Sequence, residues 1–160
     1  MNTKEIREIK EKLAVLNVTA LTGVVHEPDV LYLRFEDYGL YIYCYFRFSN
    51  GNELILAQKD MYRPSLALLA QKDFDWDDFD SSIAGDNRMD EVIQEQFSSL
   101  DGFTVKKIKI KKTGDLMITF TNRYQLDLRI DLTEPVTCWR FFERDSDVDL
   151  LTVNGNGLEE

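Results

Sequence analysis

Hydrophobic and polar residues alternate with a period of two over most of this chain, and only its first segment runs clearly on a helical period. Ile6, Ile9, Leu13 and Leu16 fall at i, i+3, i+7 and i+10, which places them on one helix face. Glu5, Arg7, Glu8, Lys10, Glu11 and Lys12 largely cover the other. The pattern predicts a helix capped by Thr3 and running to about Leu16. Such a helix is held by packing, and the sheet that follows is the surface it needs.

Strands are predicted in quick succession after it. Val18 to Val25 is the first, weakened by Gly23. Val30 to Glu36 and Leu40 to Phe48 form a hairpin around Asp37-Tyr38. Pairing Phe35 with Leu40, Leu33 with Ile42 and Leu31 with Cys44 gathers the aliphatic residues on one face. The same register pairs Arg34 with Tyr41, Tyr32 with Tyr43 and Val30 with Tyr45 on the other, so that Tyr32, Arg34, Tyr41, Tyr43, Tyr45 and Arg47 make an aromatic face with a charged edge. Leu40 to Phe48 then turns back onto Glu53 to Ala57. A three-residue loop, Asn50-Gly51-Asn52, is expected because it pairs Phe48 with Leu54 and Phe46 with Leu56.

One stretch occurs twice. Phe48-Ser49-Asn50-Gly51-Asn52-Glu53-Leu54-Ile55-Leu56 returns as Phe120-Thr121-Asn122-Arg123-Tyr124-Gln125-Leu126-Asp127-Leu128. A matching loop, Asn122-Arg123-Tyr124, pairs Phe120 with Leu126, Ile118 with Leu128 and Leu116 with Ile130. Leu21-Thr22-Gly23 precedes the first copy and Leu100-Asp101-Gly102 the second. Asp60-Met61-Tyr62-Arg63-Pro64 and Asp131-Leu132-Thr133-Glu134-Pro135 follow them. Duplication competes here with chance agreement between two ordinary hairpins.

Between the copies, Pro64 to Ala70 reads as a short helical turn, Asp73 to Asp80 as loop, and Asp86 or Asn87 as the cap of a helix to about Leu100. Met89, Val92, Ile93 and Phe97 lie on that helix's buried side. Phe103 to Lys111, Asp115 to Phe120 and Gln125 to Leu132 form a meander, with a β-bulge expected near Lys106-Lys107 where parity changes. Val136 to Glu143 and Leu150 to Val153 make a last hairpin across Arg144 to Asp149. The expected fold is α+β: two antiparallel β-meander units packed with an N-terminal and a middle helix. It forms one domain over residues 1–160, with units at about 18–64 and 100–153 and an insert at about 65–99.

Charge separates the insert from the rest. The net charge is −10, and Asp73 to Asp101 holds ten acids against Arg88 alone, leaving the remainder nearly neutral. A basic stripe follows at Lys106, Lys107, Lys109, Lys111 and Lys112. An acidic patch repels nucleic-acid phosphates and steers basic partners. The lysines read as protection of an edge strand, so nucleic acid is not expected as a partner. No apolar run reaches the ~20 residues that span a bilayer. The first residues lack the apolar core of a signal peptide, so a cytoplasmic protein with two reduced thiols, Cys44 and Cys138, is expected.

Catalytic and metal chemistry find little support in the sequence. Asp73-Phe-Asp75-Trp-Asp77-Asp78-Phe-Asp80 has the alternating acids of a calcium loop. The glycine and glutamate that such a loop needs at its sixth and twelfth positions are here Asp78 and Ala84. Asp145-Ser-Asp147-Val-Asp149 fails likewise, with Leu150 and Asn156. His26, the sole histidine, cannot furnish a histidine cluster for zinc. As a general base it would need an orienting acid and a nucleophile nearby. There is no phosphate loop and no nucleophile elbow. The sequence therefore implies no cofactor, no metal and no enzyme.

Trp139-Arg140-Phe141-Phe142, followed by Asp149 to Val153 and the closing Gly155-Asn156-Gly157, resembles the ending of a group of small uncharacterised bacterial proteins, some encoded beside polymorphic toxins and read as candidate immunity proteins. The likeness extends to the Gly114-Asp115-Leu116 to Phe120-Thr121-Asn122 hairpin. It implies a protein-binding role and assigns no functional residue.

The expectation is a non-enzymatic protein that engages a basic protein partner, as an immunity-like inhibitor would. Asp75, Trp76, Asp77, Asp78 and Asp80 carry the contact, with Phe74 and Phe79 as apolar anchors. The alternatives are a small-molecule or peptide binder using the tyrosine face, a structural domain, and an enzyme built on His26 and a carboxylate. The oligomeric state is left open.

Overall fold

The structure is a computed structural model that describes residues 1–146 and 148–159. Among these residues the chain forms α1 (Thr3–Leu13), β1 (Gly23–Glu27), β2 (Val30–Phe35), β3 (Tyr38–Ile42), β4 (Tyr45–Asn50), β5 (Glu53–Ala57), α2 (Leu66–Leu69), α3 (Arg88–Gln96), β6 (Val105–Ile110), β7 (Leu116–Phe120), β8 (Tyr124–Arg129), β9 (Thr137–Glu143), β10 (Asp149–Asn154) and β11 (Gly157–Leu158). The fold is α+β, and every strand pairing is antiparallel.

The strands divide into a six-stranded sheet, β1-β2-β3-β9-β10-β11, and a five-stranded sheet, β5-β4-β8-β7-β6. Each takes strands from both sequence units, so the units interleave. The two repeated hairpins lie side by side, joined by the pairing of β4 with β8, where Phe46 meets Leu128 and Phe48 meets Leu126. Apolar side chains from both sheets form one core. Phe35 stacks on Phe120 at 6.4 Å between ring centres, and the buried Trp139 indole donates to the Gly114 carbonyl at 3.1 Å. The helices lie along opposite sides. α1 packs against β6 and β10, and α3 against β1 and β5. Ile9, Leu13 and Leu16 are fully buried in this way, as are Met89 and Val92.

Several details depart from the sequence reading. Asn2, not Thr3, caps α1: its Oδ1 accepts the Glu5 N–H and Glu5 returns the bond to the Asn2 N–H, a capping box. The helix ends at Leu13 and tightens into a 3₁₀ turn to Leu16. The first strand begins at Gly23. The residues before it instead bond to Phe103 and Val105, after Val18 takes a positive φ of 60°.

Leu40 to Phe48 is two strands in two sheets, broken at Tyr43-Cys44. Alternation could not reveal the break, because Leu40, Ile42, Cys44, Phe46 and Phe48 all enter the shared core. The β2–β3 register is two residues from the expected one, with Leu33 opposite Leu40 and Tyr32 opposite Tyr41. A shift of two preserves the faces. After β4 the turn holds two residues, Gly51-Asn52, with Asn50 opposite Glu53; a bulge between Leu54 and Leu56 then restores Leu56 to the core opposite Phe48. A bulge, rather than a three-residue loop, keeps Phe48 and Leu56 together on the core face. In the second hairpin Ile118 faces Leu126 and Leu116 faces Leu128, again two residues off.

The bulge at Lys106 is present. Asn87 caps α3, which ends at Gln96 rather than near Leu100. Gly155 has a packing reason: a Cβ there would come within 2.3 Å of Leu132 Cδ1 and 2.5 Å of the Leu132 carbonyl. The last hairpin forms as Thr137–Glu143 with Asp149–Asn154, and β11 adds a strand that its two residues were too short to announce.

Candidate functional site

The acidic insert is tied down at its base and open at its tip. α3 supplies both ties from its first turn, where acids also suit the helix dipole. Glu91 accepts the N–H groups of Leu66 and Ala67 at 2.8 and 3.1 Å and pairs with Arg88. Asp90 accepts the Gly85 N–H at 2.8 Å and the Asn87 side-chain amide at 2.9 Å. Burial works to raise both carboxyl pKa values. The backbone donors, with Arg88 for Glu91 and His26 and Asn87 for Asp90, outweigh it and hold both below their ordinary values.

Beyond these ties the chain turns through a 3₁₀ segment, Trp76–Asp78, capped by Asp75, whose Oδ1 accepts the Asp77 N–H at 3.0 Å. Trp76 is 52% exposed. Phe74 and Phe79 meet it edge-on at 5.3 and 6.3 Å, and the Arg63 guanidinium lies 4.9 Å from its ring centre. Asp75, Asp77, Asp78 and Asp80 are all exposed around it. The Ser82 hydroxyl and N–H both donate to Asp80 and lower its pKa. Tyr62, Leu66, Leu69 and Ile83 add exposed apolar surface over the same stretch. The structure thus gathers Phe74 to Asp80 into one patch. Arg63, Leu66, Ile83 and the anchoring acids were missed by the sequence reading; the Asn87-x-x-Asp90 spacing signals only the cap by which Asn87 accepts the Asp90 N–H.

The tyrosine face is divided. Tyr32, Arg34, Tyr41 and Tyr43 lie on the outer side of the six-stranded sheet. Tyr45 and Arg47 belong to β4 in the other sheet, opposite Arg129 and Asp127. Tyr32, Tyr41 and Phe142 stack as a cross-strand ladder, with ring centres 4.6 Å (Tyr32–Tyr41) and 5.2 Å (Tyr41–Phe142) apart. Arg34 caps Tyr32 at 5.3 Å, and Arg140 caps Tyr41 at 4.7 Å while pairing with Asp149 at 3.2 Å. Burial, with Glu27 and Tyr32 adding to it, holds the Tyr41 hydroxyl above its ordinary pKa. The stacked rings fill one another's faces, and Tyr45 stands apart in the other sheet.

His26 lies on β1. Its Nδ1 is 2.7 Å from Asp90 Oδ1, and both side chains are largely buried. The pair sits in a cleft of about 210 Å³ that Tyr62, Ser81 and Ser82 also line. The Tyr62 hydroxyl donates to Asp29 at 2.7 Å, which together with burial raises its pKa. The fold also brings Cys44 and Cys138 to one place, where the Cys44 N–H donates to the Cys138 carbonyl at 3.1 Å. Both thiols are free, and burial pushes both pKa values up. Among the described residues no three His, Cys, Asp or Glu side chains converge as a metal site would require. Asp147, part of the second acidic motif, lies outside the described residues. Among the described residues no helix is long and apolar enough to cross a membrane.

Compared with family models, curated proteins and solved structures, the chain has no match.

Proposed function

We propose that this chain is a non-enzymatic protein-binding protein whose contact element is the acidic, aromatic insert over residues 62–83, and that its partner presents a basic surface with an apolar hollow. The half-exposed Trp76 ringed by exposed Asp75, Asp77, Asp78 and Asp80 carries this reading. A tryptophan left at a surface is a typical interface anchor, and the surrounding charges speed and select a basic partner. The Glu91 and Asp90 ties hold the element in place before binding, which lowers the ordering cost of association. The likeness of the C-terminal strand to toxin-adjacent proteins favours a particular version. In it the insert occludes a basic toxin, such as a nuclease, by presenting carboxylates where the toxin expects its substrate's phosphates.

The test is quantitative capture from the source lysate at low and high salt. It compares the wild-type chain with Asp75→Asn/Asp77→Asn/Asp78→Asn/Asp80→Asn and with Trp76→Ala. A basic protein captured at low salt should be lost by both variants, and equal capture by the Asn variant sinks the reading. One observation favours a second reading, general-base catalysis: the His26–Asp90 pair in its cleft. At about 210 Å³ the cleft is smaller than the ~300 Å³ of ordinary ligand pockets, which makes it the weaker case. Turnover of a small ester or phosphoester that His26→Ala abolishes would establish it.

A further inference from the structure

The five-stranded sheet carries a surface of the opposite kind at its far edge. On its outer face Lys107 lies beside Thr119 and Lys109 beside Met117. Asp127 follows Met117 across the sheet, and Lys111 bonds through its backbone to Asp115. A groove of about 390 Å³ opens here, with Met117 as the apolar side chain of its outer face; Ile108 and Ile110, which also line it, alternate with the lysines and turn toward the core. Its cations are Lys10, Lys109, Lys111 and Arg129. Among the described residues none of these four takes part in an ion pair. Two acids also line the groove, and both are engaged: Asp115 accepts the Ile130 N–H at 2.9 Å, and Asp127 accepts the Gln125 amide at 2.9 Å.

We infer that this groove receives the acidic insert of a second copy of the chain. The complement is written in both surfaces. The insert offers an exposed indole flanked by Asp75, Asp77 and Asp78. The groove offers Met117 flanked by Lys109, Lys111 and Arg129. One molecule cannot satisfy itself. α3, which anchors the insert, packs on β5, while β6 is the opposite edge of the same sheet, four strand spacings or about 19 Å away. Two copies can pair about a two-fold axis, each insert in the other's groove, or the contact can repeat head to tail until a ring closes. The net charge of −10 opposes close approach at very low salt, so association should be strongest near ~0.1 M, where the Debye length is about 10 Å and only contacting charges matter.

This inference rests on the insert being a binding element, and the experiment separates the two. Sedimentation velocity follows the wild-type chain, a groove variant, Lys109→Glu/Lys111→Glu, and the four-site Asn variant of the insert. In ~0.1 M salt the wild-type mean mass should rise with concentration, and association should weaken at least about tenfold in ~1 M salt. Each variant alone should remain a monomer. An equimolar mixture should form a one-to-one dimer and nothing larger, because only one intact insert and one intact groove remain to meet. A wild-type chain that stays monomeric to about 0.5 mM, or a mixture that stays monomeric, overturns the inference. The groove variant, whose insert is intact, should still capture a basic partner from lysate; if it does while the wild type stays monomeric, self-association falls and the insert reading stands.

Discussion

Replacing Glu91 with Ala should free the acidic insert while leaving the two sheets intact. The change removes the acceptor of two backbone N–H groups, Leu66 at 2.8 Å and Ala67 at 3.1 Å, and the nearer partner of Arg88. Hydrogen bonds to a charged group are each worth about 1.5–3 kcal/mol. Leu66 is exposed, so water replaces part of that loss, and Glu95, 3.8 Å from Arg88, takes over part of the ion pair. A net local cost of about 2 kcal/mol remains, which corresponds to roughly a 30-fold larger open population of the insert. Amide hydrogen exchange over residues 66–83 should accelerate by that factor, while the β4 and β8 amides keep their protection. Trp76 fluorescence should report the same opening, because the other indole, Trp139, is fully buried and unaffected. Exchange in the insert changed less than about threefold, or lost equally from insert and core, would refute the view that α3 anchors the insert as a separable element.

Two further predictions address acid and packing. Asp90 and Glu91 both have folded pKa values below their ordinary 3.8 and 4.5, so their stabilisation is complete above that range and fades as pH falls through the lowered values; a Trp76 fluorescence transition below about pH 4 that precedes global unfolding is expected, and its absence would be contrary. Gly39→Ala would put a Cβ 2.3 Å from the Phe142 ring, so it should cost about 1–3 kcal/mol in urea denaturation, with Phe142→Ala recovering most of it in the double variant.

Some of this protein was legible before any coordinates. The helical period of Ile6 to Leu16, the alternation of the hairpins, the bulge at Lys106 and the α+β class follow from local side-chain periodicity, which depends only on backbone geometry. The concentration of acids between Asp73 and Asp101 was equally plain, since charge is a property of composition. The aromatic and acidic tip at Phe74 to Asp80 was readable for the same reason.

What periodicity could not carry was which sheet a strand joins. Leu40 to Phe48 keeps its alternation while crossing from one sheet to the other, because both sheets face one core. Register was visible only modulo two, since a shift of two residues leaves every side chain on its face. The pairing of β4 with β8, the meeting of His26 with Asp90, the splitting of Tyr45 from Tyr32 and the placement of the lysine groove opposite the insert all join residues far apart in the chain. Local sequence sets the elements and their faces. Tertiary packing alone brings distant faces together, because the free energy that chooses among pairings is the burial of a core shared by the whole chain.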